Sequence, residues 1–269
     1  MTPPPDAVRT AFGVEAPPRL LPGGRGQTWR AGDIILKPVD FAPETIWRAE
    51  VLSTLPTSLE FRVARPIRSR SGAWIVDGWE ASEHLAGRTD SSRPDDVLVA
   101  GAAFHEAVAK LPRPEFLDLR DEPWSYGDRV AWEELVVDGS PAYRSLVEPL
   151  LIARRPVAVL PQVVHGDLAE NVMFADGLPP AVIDWAVYCR PTGWASAVVV
   201  VDALCWYDAR PELIERWRQV PEWGQMLIRA LIYRMATDEA VGGAAMWTPE
   251  HRKVYAPVIE LAIAAADQG

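Results

Sequence analysis

The stretch Val163-Val164-His165-Gly166-Asp167-Leu168-Ala169-Glu170-Asn171-Val172-Met173-Phe174, followed by a turn at Asp176-Gly177 and then Ala181-Val182-Ile183-Asp184-Trp185, decides how the chain is read. Apolar, β-branched runs flank a short polar loop, and an Asp-Gly turn separates them. That pattern reads as strands joined by a hairpin. The strands end in, or start from, polar groups: Asp167 and Asn171 on one side, Asp184 on the other. Phosphoryl transfer needs groups of these types. One carboxylate orients the acceptor hydroxyl, while an amide oxygen and a second carboxylate hold Mg²⁺ against nucleotide phosphates. The hairpin is expected to bring Asn171 and Asp184 close together.

Upstream, Gly23-Gly24-Arg25-Gly26 is a tight glycine cluster, followed by Thr28-Trp29-Arg30, a turn at Ala31-Gly32-Asp33, and Ile34-Ile35-Leu36-Lys37. Two β-prone runs around a Gly-Asp turn predict a hairpin. Pro43 opens a helix to about Leu55, with Ile46, Ala49, Leu52 and Leu55 as its apolar face and Glu50 one turn after Ile46 on the inward side. Strands are expected near 61–65 and 73–76. Beyond Trp79 the texture changes, and 97–110, 128–137, 141–154, 194–207, 211–219, 221–240 and 249–266 read as helical. The order predicts an α+β chain with a nucleotide-binding region over 1–80 and a mainly helical region over 81–269.

These motifs resemble those of aminoglycoside phosphotransferases and related small-molecule kinases, including a subgroup of actinobacterial proteins. The resemblance rests on His165-Gly166-Asp167-Leu168 with Asn171-Val172, on Val182-Ile183-Asp184-Trp185, on the loop Leu21 to Thr28, and on Lys37 with Glu50 thirteen residues later. It spans roughly residues 20–205. It implies a protein-kinase-like bilobal fold, with a small β-rich N-lobe carrying one main helix and a larger helical C-lobe. It implies ATP, or GTP, and Mg²⁺ as cofactors, with a small hydroxylated molecule as acceptor. Asp167 would be the catalytic base and His165 would brace its loop. Asn171 and Asp184 would bind the metal. Lys37, held by Glu50, would contact the phosphates, under a loop containing Gly23, Gly24, Gly26, Gln27 and Thr28. Gly78, Trp79 and Glu80 would receive adenine.

The likeness has one departure. Asp167 to Asn171 is one step shorter than in typical members, with Ala169-Glu170 in place of the usual His-Pro-Gly. Such a deletion shifts a side chain by about 3.5 Å along an extended chain. Two readings follow: an active phosphotransferase, or a catalytically weak pseudokinase or nucleotide-binding module. The segment after Asp184 is too short for a regulatory activation loop, which argues against a protein kinase.

Bulk properties set outer bounds. The chain has 269 residues and a formal net charge of −10, which disfavours nucleic acid as a partner. Two cysteines make no disulfide framework, and the four histidines are scattered without zinc spacing. The start, Met1-Thr2-Pro3-Pro4-Pro5-Asp6, has neither a basic nor an apolar leader region. A cytoplasmic monomer or homodimer without membrane contact is expected. Taken singly, Lys37 is as ordinary as any strand-end lysine, and the 12 tryptophans fit core packing better than a substrate pocket. Asp202 lies within an apolar run, where a carboxylate needs a partner, and is expected to brace the catalytic loop or a helix end.

Overall fold

The computed structural model describes residues 2–22 and 26–268. The chain divides into two compact units, one of residues 1–89 with 172–185, the other of 90–171 with 186–269. The division falls at Thr89/Asp90, past the 80/81 boundary read from the texture change. The first unit also takes back the strand pair that precedes Asp184.

In the first unit a five-stranded sheet runs in the order β1 (Arg19–Leu20), β2 (Trp29–Ala31), β3 (Ile34–Pro38), β6 (Trp79–Glu83), β5 (Ile75–Val76). Each tight turn has its chemical reason. Gly32 takes φ 60° between β2 and β3. Asp77 and Gly78, at φ 47° and 76°, form the two-residue turn between β5 and β6. Such a turn needs positive φ at both centres, which suits Asp-Gly. Under the sheet, Val8 of α1 (Asp6–Ala11) and Phe12 just after it pack with Val14, Ala31, Leu36 and Ala81.

A four-stranded sheet of the same unit joins β4 (Arg62–Val63), β10 (Leu178–Val182), β9 (Val172–Ala175) and β7 (Arg88–Thr89). The Asp176-Gly177 turn closes β9 against β10, with Val172 opposite Val182, as the sequence predicts. The longer helix of this unit, α2 (Ala42–Thr54), carries Pro43 in its first turn.

The second unit is built around α8 (Trp223–Gly242), which is buried along most of its length. It packs against α4 (Pro123–Ala131), α5 (Pro141–Ala153), α6 (Thr192–Trp206) and α9 (Pro249–Asp267). The sequence placed α4 later, at 128–137. Its start is set by a capping box, in which Glu122 accepts from the Trp124 and Ser125 amides ahead of a first-turn proline. α3 (Pro94–Val108) packs on α6 and on a two-stranded ribbon of β8 (Gln162–His165) and β11 (Val187–Arg190). No helix among the described residues is long and apolar enough to cross a membrane.

Candidate active site

The polar loop after β8 belongs to the second unit. His165 ends β8 fully buried, and its backbone amide donates to His105 Nε2 of α3 at 3.0 Å. The Asp167 amide donates to His165 Nδ1 at 3.1 Å. His165 therefore spends a lone pair on the loop it precedes, which suits a brace rather than a proton carrier. Gly166 is required by close approach. A Cβ there would fall 2.4 Å from the Tyr188 ring and 3.1 Å from Trp194.

Burial, with the nearby His165, pushes the His105 pKa down to about 3. Its folded pKa thus lies below the ordinary value of 6.5, so between those limits the unfolded chain binds a proton that the folded chain does not. Stability is expected to fall on acidification through this window, with a slope of about 1.4 kcal/mol per pH unit from this site. Denaturant titrations at stepped pH check this, and His105→Gln should flatten the slope. An unchanged slope in that variant would contradict the assignment.

The Asp167 carboxylate is clamped from two sides. Asn171 Nδ2 donates to the Asp167 carbonyl at 2.6 Å and to Oδ2 at 3.3 Å. Arg234 of α8 donates to Oδ1 at 2.7 Å. The same guanidinium is forked onto Asp202 of α6, through Nε at 2.8 Å and through a second, shorter contact. Burial works to raise the Asp167 pKa, and the Arg234 charge and hydrogen bond outweigh it, holding the carboxyl below its ordinary range. Burial prevails at Asp202, which is raised. Asp202 thus reaches the loop indirectly, through Arg234. Arg234 is one of two arginines, with Arg229, within the mostly buried run of α8, and nothing local in the sequence sets it apart.

The other predicted groups lie in the first unit. Lys37, on β3, makes an ion pair with Asp184, which follows β10. Asp184 takes φ 49°, in the left-handed region that short polar residues tolerate. The expected Lys37–Glu50 pair is not made. The inward face of α2 carries Thr45, Arg48 and Ala49, while Ile46 and Glu50 share the exposed face. Gly78, Trp79 and Glu80 lie within the first unit. Gly78 lies in the β5–β6 turn, and Trp79 and Glu80 begin β6, whose chain continues through residues 84–89 before the second unit starts.

Gly26, Gln27 and Thr28 are half-buried ahead of β2, and the Leu21 amide closes the loop onto the Thr28 carbonyl at 2.8 Å. Gly23 and Gly24 lie outside the described residues. No group of three or more His, Cys, Asp or Glu among the described residues is arranged to hold a metal. Mg²⁺ is usually held by one or two carboxylates plus substrate phosphates and water. Asp184 offers a half-exposed carboxylate, and Asn171 uses its nitrogen on Asp167, leaving Oδ1 as an acceptor. Both are hard oxygen donors of the kind Mg²⁺ takes.

No protein-family model matches the sequence, and a search of curated proteins finds no match. Solved structures do match. An aminoglycoside phosphotransferase from Alicyclobacillus acidocaldarius aligns with TM-score 0.59 at 17% identity, over 100% of this chain and 96% of that one. A choline kinase from Streptococcus pneumoniae aligns with TM-score 0.57 at 13% identity, over 96% and 98%. An aminoglycoside phosphotransferase in ternary complex with AMP-PNP and hygromycin B aligns with TM-score 0.61 at 15% identity, over 95% and 97%. The chain therefore has the kinase-like fold of these proteins.

Proposed function

We propose that the protein is an ATP-dependent phosphotransferase that moves the γ-phosphoryl group to a hydroxyl of a small molecule. The observation that carries this reading is the ion pair of Lys37 with Asp184, residues 147 apart in sequence that the first unit brings together. A cation and a carboxylate in contact, one on β3 and one just after β10, are what a metal–nucleotide phosphate group requires on its two sides. The structural neighbours include kinases of small alcohols and an AMP-PNP complex, which supports the reading.

In this reading Lys37 releases Asp184 and binds phosphate oxygens, with GTP as the other possible donor. Gly26, Gln27 and Thr28 lie where backbone amides would cover the phosphates. Asp184 and Asn171 hold Mg²⁺, which when bound neutralises charge on the phosphates. Asp167 meets the acceptor hydroxyl. The transition state of phosphoryl transfer is loose, so the attacking oxygen needs orientation more than early deprotonation. A carboxylate held at low pKa by Arg234 is suited to that role. His165 and His105 keep the loop in place.

A second reading has its own support. The Arg234 ion pair already neutralises Asp167, and the loop to Asn171 is one residue short, which also fits a catalytically weak nucleotide-binding module. Calorimetric titration tests the part common to both. Mg·ATP is expected to bind in the micromolar to millimolar range usual for such substrates. Absence of binding at millimolar Mg·ATP would contradict both readings.

A further inference from the structure

Helix α2 meets the nucleotide-side residues with a cation where a carboxylate was expected. Arg48, on the inward face of α2, places one guanidinium nitrogen 2.9 and 3.1 Å from the two carboxylate oxygens of Glu80. Its other terminal nitrogen donates to the Trp185 carbonyl at 3.3 Å. Glu80 stands directly opposite Lys37 across the β3–β6 ladder, so both side chains leave the same face of the sheet. Trp185 follows Asp184, and its ring lies 5.3 Å from that of Trp47, the residue before Arg48. One side chain thus ties α2 to the strand beside Lys37 and to the backbone beside Asp184.

The pair is sheltered, with side-chain exposures of 21% for Arg48 and 24% for Glu80. Burial works to lower the Arg48 pKa, and the charges of Glu80, Glu44 and Asp184 with the Glu80 hydrogen bond together outweigh it, so the guanidinium is held firmly charged. Charge-assisted hydrogen bonds of this kind are directional as well as strong. The backbone they steady is the left-handed turn at Asp184, where a loosened chain would relax to commoner geometry.

We propose that Arg48 and Glu80 are positioning residues for the nucleotide site, setting Asp184 relative to Lys37 through the Glu80–Arg48–Trp185 bridge. The bridge replaces the Lys37–Glu50 pair and inverts its polarity, since the helix supplies the cation and the sheet the anion. When Lys37 leaves Asp184 for a phosphate, the contact to the Trp185 carbonyl remains and keeps the carboxylate aimed. This inference rests on the nucleotide reading of Lys37 and Asp184.

The test is calorimetric binding of ADP, with and without Mg²⁺, to wild type, Arg48→Ala, Arg48→Lys, Glu80→Gln and Glu50→Gln. Arg48→Ala is expected to lose about tenfold of the Mg²⁺-dependent gain in affinity, the size of one charge-assisted hydrogen bond, while metal-free ADP binding changes less than about threefold. Arg48→Lys and Glu80→Gln should lose part of that gain, and they serve if Arg48→Ala fails to fold. Glu50→Gln should match wild type within about twofold, as for an exposed residue.

Equal loss with and without Mg²⁺ would show general loosening and overturn the positioning role. So would an unchanged Arg48→Ala, or a Glu50→Gln as weak as Arg48→Ala. Wild type that binds no ADP would instead overturn the nucleotide reading, and this inference with it.

Discussion

Replacing Asp167 with asparagine is expected to lower turnover by about a thousandfold or more, within the range of a lost acid–base group, with Mg·ATP affinity unchanged within about twofold. The substitution keeps the shape of the side chain. Arg234 can still donate to an amide oxygen, and its fork on Asp202 is untouched. What disappears is the negative charge that would accept the acceptor's hydroxyl hydrogen. The nucleotide is proposed to bind at Lys37 and Asp184, which belong to the other unit. Steady-state kinetics and calorimetry separate the two effects. Full activity in Asp167→Asn would remove Asp167 from the role of meeting the acceptor.

Arg234→Met is expected to be the most destabilising of these changes. Asp202 is 5% exposed and receives its hydrogen bonds from Arg234. Removing the guanidinium leaves a buried carboxylate without its counter-charge. Breaking a buried pair in this way costs about 3–5 kcal/mol, a shift in unfolding midpoint on the order of 10 °C for a unit of this size. Thermal denaturation followed by circular dichroism reads it directly. Adding Asp202→Leu should restore most of the loss, because an apolar pair can replace a buried ion pair at little cost. A single-variant shift too small to resolve would mean that the cluster does not hold the loop.

The sequence was most legible where structure is local. The β2–β3 hairpin, the Asp176-Gly177 turn and the β9–β10 pairing follow from alternation and from residues that demand positive φ. It was least legible where burial had to be inferred from a mixed face. On α2, Ile46 suggested the inward side, yet it is 41% exposed, and Glu50 is exposed with it. Arg48 points inward because Glu80 and the Trp185 carbonyl receive it, and those partners are distant in sequence.

β6 escaped because Trp79-Glu80-Ala81-Ser82-Glu83 has weak apolar alternation, with Ala81 its single buried residue. Arg234 escaped for a related reason. Its partners, Asp167 and Asp202, are 67 and 32 residues away, and no local pattern announces them. The loop at Asp167 was legible as a motif, but the return of the Asn171 side chain onto Asp167 was not.

The most direct measurement is mass spectrometry of a metabolite extract incubated with the protein and γ-labelled ATP in Mg²⁺. A small hydroxylated compound is expected to gain the labelled phosphoryl group with wild type and to fail to gain it with Asp167→Asn. Bound ATP with no labelled product across a broad extract would contradict phosphotransfer and leave a nucleotide-binding module.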